Sequence, residues 1–207
     1  MVVPTISARK QSAATSDNSY MDACKSPAIA TQIYPPTLRR YVLAQSMQSL
    51  IVPARRVGAG WGEAVAEEQL QVIDRILEKT RGYATEDRAI ILAIVRHESG
   101  FNPRAKNNSS TAHGLFQVID GTWRGLGFEA SQRCETEAQI DAGLALFREH
   151  AKRLPLASLI DQPRAVQIYA LHHDGPSLAY GGDESAKKKV LPWVSRFKGA
   201  IERLNRL

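Results

Sequence analysis

The stretch Ile90-Ile91-Leu92-Ala93-Ile94-Val95-Arg96-His97-Glu98-Ser99-Gly100-Phe101-Asn102-Pro103 decides the fold, together with Gly114-Leu115-Phe116-Gln117 and Thr122-Trp123 beyond it. Ile90, Ile91, Ile94 and Val95 recur at helical spacing. Thr85 is placed to cap this helix, and Glu86 and Asp87 sit in a first turn where carboxylates suit the helix dipole. Gly100 is a natural stop, and Asn102-Pro103 prevents continuation. Glu98 lies four residues beyond Ile94 and seven beyond Ile91, so it continues the apolar face. A carboxylate there is partly desolvated and close to the negative end of the dipole. Both effects disfavour ionisation and point to a carboxylic acid that keeps its proton near neutral pH. Glycosidic cleavage asks that of its proton donor, although many helical glutamates only reach solvent or pair with an arginine.

Working outward, the segment 102–113 is a polar loop. Gly114 permits close backbone approach, and the amide of Gln117 offers a donor and an acceptor to sugar groups. Asp120 is placed to cap a short helix through Thr122 and Trp123, with Trp123 in the core and a short β element near 112–119. Upstream, a helix is predicted over about 63–80, with Ala66, Leu70, Ile73 and Leu77 on one face. Downstream, Ile140, Leu144, Phe147, Ala151 and Leu154 predict a helix over 136–154 that Pro155 ends. Another helix covers about 162–173. Tyr169 and His172 share a face of it and are expected to line a cleft opposite Glu98. Residues 175–189 read as a Gly-rich, then Lys-rich loop. A final helix starts near Pro192 and buries Val194, Phe197, Ile201 and Leu204.

The N-terminal part reads differently. Residues 1–36 are rich in Ser, Ala, Thr and Pro and predict a flexible tail. A helix over 37–51, capped by Thr37, is expected to turn Leu38, Tyr41 and Val42 to one side. The Gly58-Ala59-Gly60-Trp61-Gly62 run marks a break, so the predicted division is an extension over 1–60 and a catalytic domain over 61–207.

Composition narrows the function classes. The 207 residues carry a net charge of +6, with 43% hydrophobic content. That charge and a pI near 9.5 suggest an anionic partner. Zinc-finger and RNA-binding signatures are absent, which argues against nucleic acid. No apolar leader follows Met1, and the longest fully apolar run, Ala89 to Val95, is too short to span a bilayer. Cys24 and Cys134 are expected to be free thiols, since two cysteines make no disulfide framework. His97-Glu98 lacks the second histidine of HExxH, and His172 and His173 point to different helix faces, so no metal site is predicted. No Ser or Cys nucleophile motif is recognisable.

The ordered set Glu98-Ser99-Gly100-Phe101-Asn102-Pro103, Gly114-Leu115-Phe116-Gln117 and Thr122 resembles the soluble lytic transglycosylase (SLT) family over roughly residues 84–205. His172-His173-Asp174-Gly175-Pro176 stands where that family has Ala-Tyr-Asn-x-Gly, and is closer to transglycosylase-type bacteriophage endolysins. The resemblance implies a mainly α, lysozyme-like fold and a bacteriolytic enzyme acting on peptidoglycan glycan strands. Glu98 is the implied catalytic acid and base. No cofactor is implied, and neither nucleic acid nor stable membrane insertion enters; a monomer is expected. Implied substrate contacts are Gln117, Ser99, Asn107, Ser110, Tyr169 and His172. The loop partner of the glutamate, a serine in the family, falls on Asn107, with Ser109 or Ser110 as alternatives, because the Glu98–Gln117 spacing is one residue longer than usual. The family tyrosine falls on Leu171 or His172, with Tyr169 one turn earlier. A goose-type muramidase on the same fold and a non-catalytic wall-docking protein stay open. So does Asp174 as a second acid. Delivery is expected through phage lysis machinery, a virion or a specialised secretion system.

Overall fold

The computed structural model describes residues 38–52 and 66–206. The element that orders them is the predicted central helix. From Ala89 to Val95 every side chain is at most 2% exposed, so the helix is enclosed on all sides rather than along one face. The helices, in chain order, are α1 Leu38–Met47, α2 Ala66–Lys79, α3 Thr85–Ser99, α4 Asp120–Gly125, α5 Thr136–Lys152, α6 Arg164–Asp174, α7 Gly182–Ser185 and α8 Leu191–Leu204. Helix α3 packs most extensively on α8, and α6 packs on α5 and α7. Tyr169, Phe101, Phe197, Met47, Ile73, Ile76, Ile90, Ile91, Leu92, Leu115, Ile140 and Ile168 are the largest enclosed side chains, and they form one contiguous core.

Local chemistry corrects several helix boundaries. Thr85 does not cap α3. It is the first helical residue, Ala84 holds the cap position without a side-chain bond, and Gly100 ends the helix with a left-handed φ of 59°. Asp120 likewise opens α4 from inside the helix, because its carboxylate is taken by the guanidinium of buried Arg133. The expected β element reduces to two isolated antiparallel bridges, Lys106–His113 and His113–Val118. Residues 175–189 are mostly helical rather than loop: a 3-10 turn Gly175–Ser177, then α7, then a π-helical turn Ala186–Val190 that leads into α8. Ala186 and Val190, both fully enclosed, supply the reason, since they anchor a segment whose lysines face outward. In α2, Ile73 and Leu77 are buried as predicted, but Val72 and Ile76 share the burial while Ala66 is exposed.

Helix α1 also packs differently from its prediction. Leu43, Met47 and Leu50 enter the core, while Tyr41 is 59% exposed. The segment after it is tied down by backbone pairing. The Gln69 amide donates to Val52 O and accepts from Val52 N, both at 2.8 Å. Arg96 Nε donates to Leu50 O at 2.8 Å, and its guanidinium lies 3.3 Å from the centroid of the Trp193 ring. Residues 38–52 therefore belong to the same core as α3 and α8. The predicted tail, the Thr37 cap, the glycine-rich break and the boundary near residue 60 lie outside the described residues. Cys134 is disulfide-bonded, not a free thiol as predicted. The chain's other cysteine, Cys24, lies outside the described residues. Among the described residues no helix is long and apolar enough to cross a membrane.

Candidate active site

Glu98 ends up half-buried on the last turn of α3, where the chain leaves the core. Helix α6 runs through the interior beside it, with residues 165–171 all buried. Tyr169 is 1% exposed on that helix, and a buried phenol needs a partner for its hydroxyl. It finds Glu98: the Tyr169 hydroxyl donates to Oε1 at 2.7 Å. The rings of His97, His172 and His173 surround Tyr169 at centroid distances of 5.6, 6.0 and 5.9 Å and hold it in place. The second carboxyl oxygen of Glu98 takes no hydrogen bond from a described residue, and Glu98 lines a cleft of about 510 Å³. A volume of that size suits one or two sugar rings at a time.

The 114–117 turn forms the next part of the wall, and buried residues of α5 shape it. A Cβ on Gly114 would lie 2.4 Å from the Gln139 side-chain oxygen. Gly114 is thus required by packing, not by a ligand as its sequence setting suggests. The Gln139 amide accepts from Leu115 N at 3.0 Å and donates to Pro103 O and Arg133 O. Gly143 on α5 leaves the space that the Phe116 ring fills; a Cβ there would fall 2.1 Å from it. Gln117 adopts a left-handed φ of 49°, a conformation that costs a non-glycine residue about 1 kcal/mol and recurs at functional sites. Its side-chain nitrogen donates to Gly114 O at 3.0 Å and Ala105 O at 3.1 Å. The side-chain oxygen is left on the cleft wall, which Gln117 lines.

His172 also lines the cleft, with Nε2 2.9 Å from Phe116 O. A carbonyl only accepts, so Nε2 carries the proton and Nδ1 is the free lone pair. Burial pushes the His172 imidazole below its usual range, partly offset by the nearby Glu98. Burial also lowers His97, and takes His150 down to about 3. These rings are therefore neutral around Glu98 near pH 7.

Four expected contacts lie off the cleft wall: Tyr169, enclosed behind Glu98 rather than lining the cleft, and three more. Ser99 is 1% exposed, and its hydroxyl is shared between Val95 O at 3.1 Å and Leu115 O at 2.9 Å. It bolts α3 to the 114–117 turn and does not face the cleft. Asn107 accepts from Ser109 N and Ser109 Oγ, and Ser110 accepts from Ala112 N. These bonds shape their own loop, so the partner of Glu98 among the described residues comes from α6. Asp174 lines the cleft, but its carboxylate is already engaged by donors. Its side chain is 1% exposed, lies 2.5 Å from His173 Nδ1, and accepts from Tyr180 N at 3.1 Å and Gly182 N at 3.0 Å.

The opposite wall was not read from the sequence at all. Ala145, Leu146, Arg148, Glu149, His150 and Arg153 of α5 and its C-terminal cap line the cleft. Leu146, Glu149, His150 and Arg153 fall at helical spacing, and that face was a usable signal. The stronger apolar stripe through Ile140, Leu144 and Phe147 obscured it. Gln139 and Arg133 were missed for another reason. Each is a buried polar side chain whose partners are loop carbonyls distant in sequence, as with Arg133 on Thr111 O and Val118 O.

Comparison with known families agrees with this architecture. Residues 76–176 match the Transglycosylase SLT domain, which marks this part of the chain as a domain of that family. The match spans α3, the 114–117 turn, α4, α5 and α6, which together hold the cleft. A domain of this family indicates lytic transglycosylase-type, peptidoglycan-degrading activity. Neither the curated proteins nor the solved structures gave a match.

Proposed function

We propose that the domain cleaves the β-1,4 bond between N-acetylmuramic acid and N-acetylglucosamine and releases 1,6-anhydromuramoyl products, with Glu98 as acid and then base. In the first half, Glu98 gives its proton to the glycosidic oxygen as the bond to the anomeric carbon breaks. In the second half, the same carboxylate takes the proton of the muramoyl 6-hydroxyl. That oxygen then closes on the anomeric carbon, so no water is consumed. Tyr169 orients the carboxyl throughout.

The single observation that carries this reading is the isolation of Glu98. It presents a free carboxyl oxygen to the cleft, whereas the neighbouring Asp174 is enclosed by three donors. A hydrolase of inverting type needs a second carboxylate to activate water. Without one, the 6-hydroxyl wins by proximity, because it is already tethered to the reacting sugar. A muramidase is the second reading, and one observation favours keeping it: Glu149 lines the cleft, ion-paired to Lys152 at 2.7 Å. Mass analysis of a digest of purified peptidoglycan decides between them. Products lighter by one water and lacking a reducing end support the transglycosylase. Reducing-end muramic acid, lost in Glu149→Gln, would replace it with the hydrolase.

The site of action follows as part of the same proposal. The substrate lies outside the cytoplasmic membrane, and a disulfide-bonded Cys134 suits an oxidising compartment. We assign the chain a lysis role of endolysin type. Lysis of cells that express it only when a membrane-permeabilising protein is co-expressed supports this, and lysis without one counts against it.

A further inference from the structure

The cleft wall opposite Glu98 holds two polar groups that the reaction above does not use. His150 is 8% exposed and lines the cleft, yet its Nε2 is buried with no hydrogen-bond partner. Arg153 lies three residues on, exposed at the C-terminal cap of α5 and lining the same cleft. Its guanidinium makes no hydrogen bond or ion pair to another described residue. The charged neighbours on this wall are otherwise engaged: Glu149 with Lys152 at 2.7 Å, and Arg148 with the Tyr83 hydroxyl at 2.9 Å. The His172 ring stands edge-on to His150 at 6.1 Å, with its own Nε2 on Phe116 O. An unsatisfied nitrogen inside a protein is costly and is kept where something completes it.

We propose that His150 and Arg153 form an acyl-group subsite. It takes the carbonyl- and carboxylate-bearing peptide substituent on the lactyl group of the muramoyl sugar. The chemistry fits on both sides. A neutral imidazole nitrogen pairs with an amide, as donor to its oxygen or acceptor from its N–H. A guanidinium takes a carboxylate through two parallel bonds. The two side chains are one helical turn apart, so a single substituent spans both. Peptide-bearing strands carry this group on alternate sugars, whereas every sugar, stripped or not, carries an N-acetyl group with similar amide chemistry. The inference rests on the assignment of peptidoglycan as substrate and adds what part of it is read.

The test compares full-length wild type, Arg153→Ala and His150→Phe on two substrates: peptide-bearing glycan strands, and the same strands stripped by an amidase. Phe keeps the ring volume of a buried residue and removes its nitrogens. Each substitution is expected to raise KM about tenfold more on peptide-bearing than on stripped strands, roughly one hydrogen bond's worth, with kcat little altered. His150→Phe should also hold or raise Tm, because an unsatisfied polar atom is removed. An equal rise in KM on both substrates overturns the peptide source and gives the subsite to a group that both strands carry, the N-acetyl amide or the lactyl acyl group. An unchanged KM in both variants on both substrates overturns the subsite. Failure of the wild type on both kinds of strand instead sinks the assigned reaction. In that event, binding of strands by Glu98→Gln with and without Arg153→Ala reads the subsite separately.

Discussion

The C-terminal ends of α3 and α6 carry the same sequence device, a carboxylate just ahead of a positive-φ glycine, and the fold puts them to opposite uses. Glu98 precedes Gly100 by two residues and Asp174 precedes Gly175 by one; the glycines have φ of 59° and 66°. After Gly100 the chain runs away into the 102–113 loop and leaves the glutamate facing open cleft. After Gly175 the chain doubles back, and the backbone N–H groups of Tyr180 and Gly182 close on the aspartate. Gly182 is needed for that closure, since a Cβ there would sit 3.0 Å from both Asp174 Oδ1 and Ala170 Cα. One carboxylate is held by a single phenol and kept available. The other organises the 178–182 turn at the rim of the cleft. The lesson is that a carboxylate's role is set by how many donors reach it, which the residue type does not reveal.

Substitutions at the two ends should therefore separate activity from stability. Glu98→Gln keeps the shape and removes the titrating proton. Wall lysis is expected to fall by at least about a hundredfold, the scale of general-acid contributions, with Tm close to wild type. Turbidity clearance of isolated peptidoglycan beside a thermal melt measures both, and near-normal lysis by a folded variant would remove Glu98 from the mechanism. Tyr169→Phe should cost about tenfold in kcat, because it deletes one hydrogen bond to a charged or reacting group while the ring packing stays. An unchanged kcat would show that packing of α6 alone positions Glu98. Asp174→Asn should do the reverse of Glu98→Gln. It is expected to lose about 2 kcal/mol of stability through weakened bonds to three donors, a Tm drop of roughly 4–8 °C for a chain of this size. Its products should be the same as those of wild type when assayed below the melt. A stable Asp174→Asn protein with altered products would restore Asp174 as an acid and erase the contrast.

Much of the scaffold was legible because it follows from periodicity. The apolar runs of α3, α5 and α8 place their own cores, and Gly100 with Pro103 stops α3 where expected. His172 was readable as a cleft residue from the face it shares with Tyr169, but Tyr169 itself is enclosed and reaches Glu98 rather than the cleft. Errors arose where a polar residue had two uses. Thr85 and Asp120 have the composition of caps, yet one is the first residue inside its helix and the other is captured by Arg133. Ser99, Asn107 and Ser110 have the donors and acceptors of binding residues, but the local backbone takes them first. Residues 175–189 have the glycine and lysine content of a loop, yet Ala186 and Val190 find enough core contact to make them helical.

The sequence by itself determined the helical scaffold, the position of Glu98 at a helix end and the turn that carries Gln117. These depend on spacing within about fifteen residues, a range over which helix geometry is fixed. Only the tertiary structure decided that Tyr169 meets Glu98 across 71 positions, that Asp174 is enclosed, and that His150 and Arg153 face the cleft. Those outcomes depend on how α3, α5 and α6 pack, and the packing is set by side chains distributed over the whole core. Local patterns choose the elements. The burial shared among them chooses which polar groups are left facing the substrate.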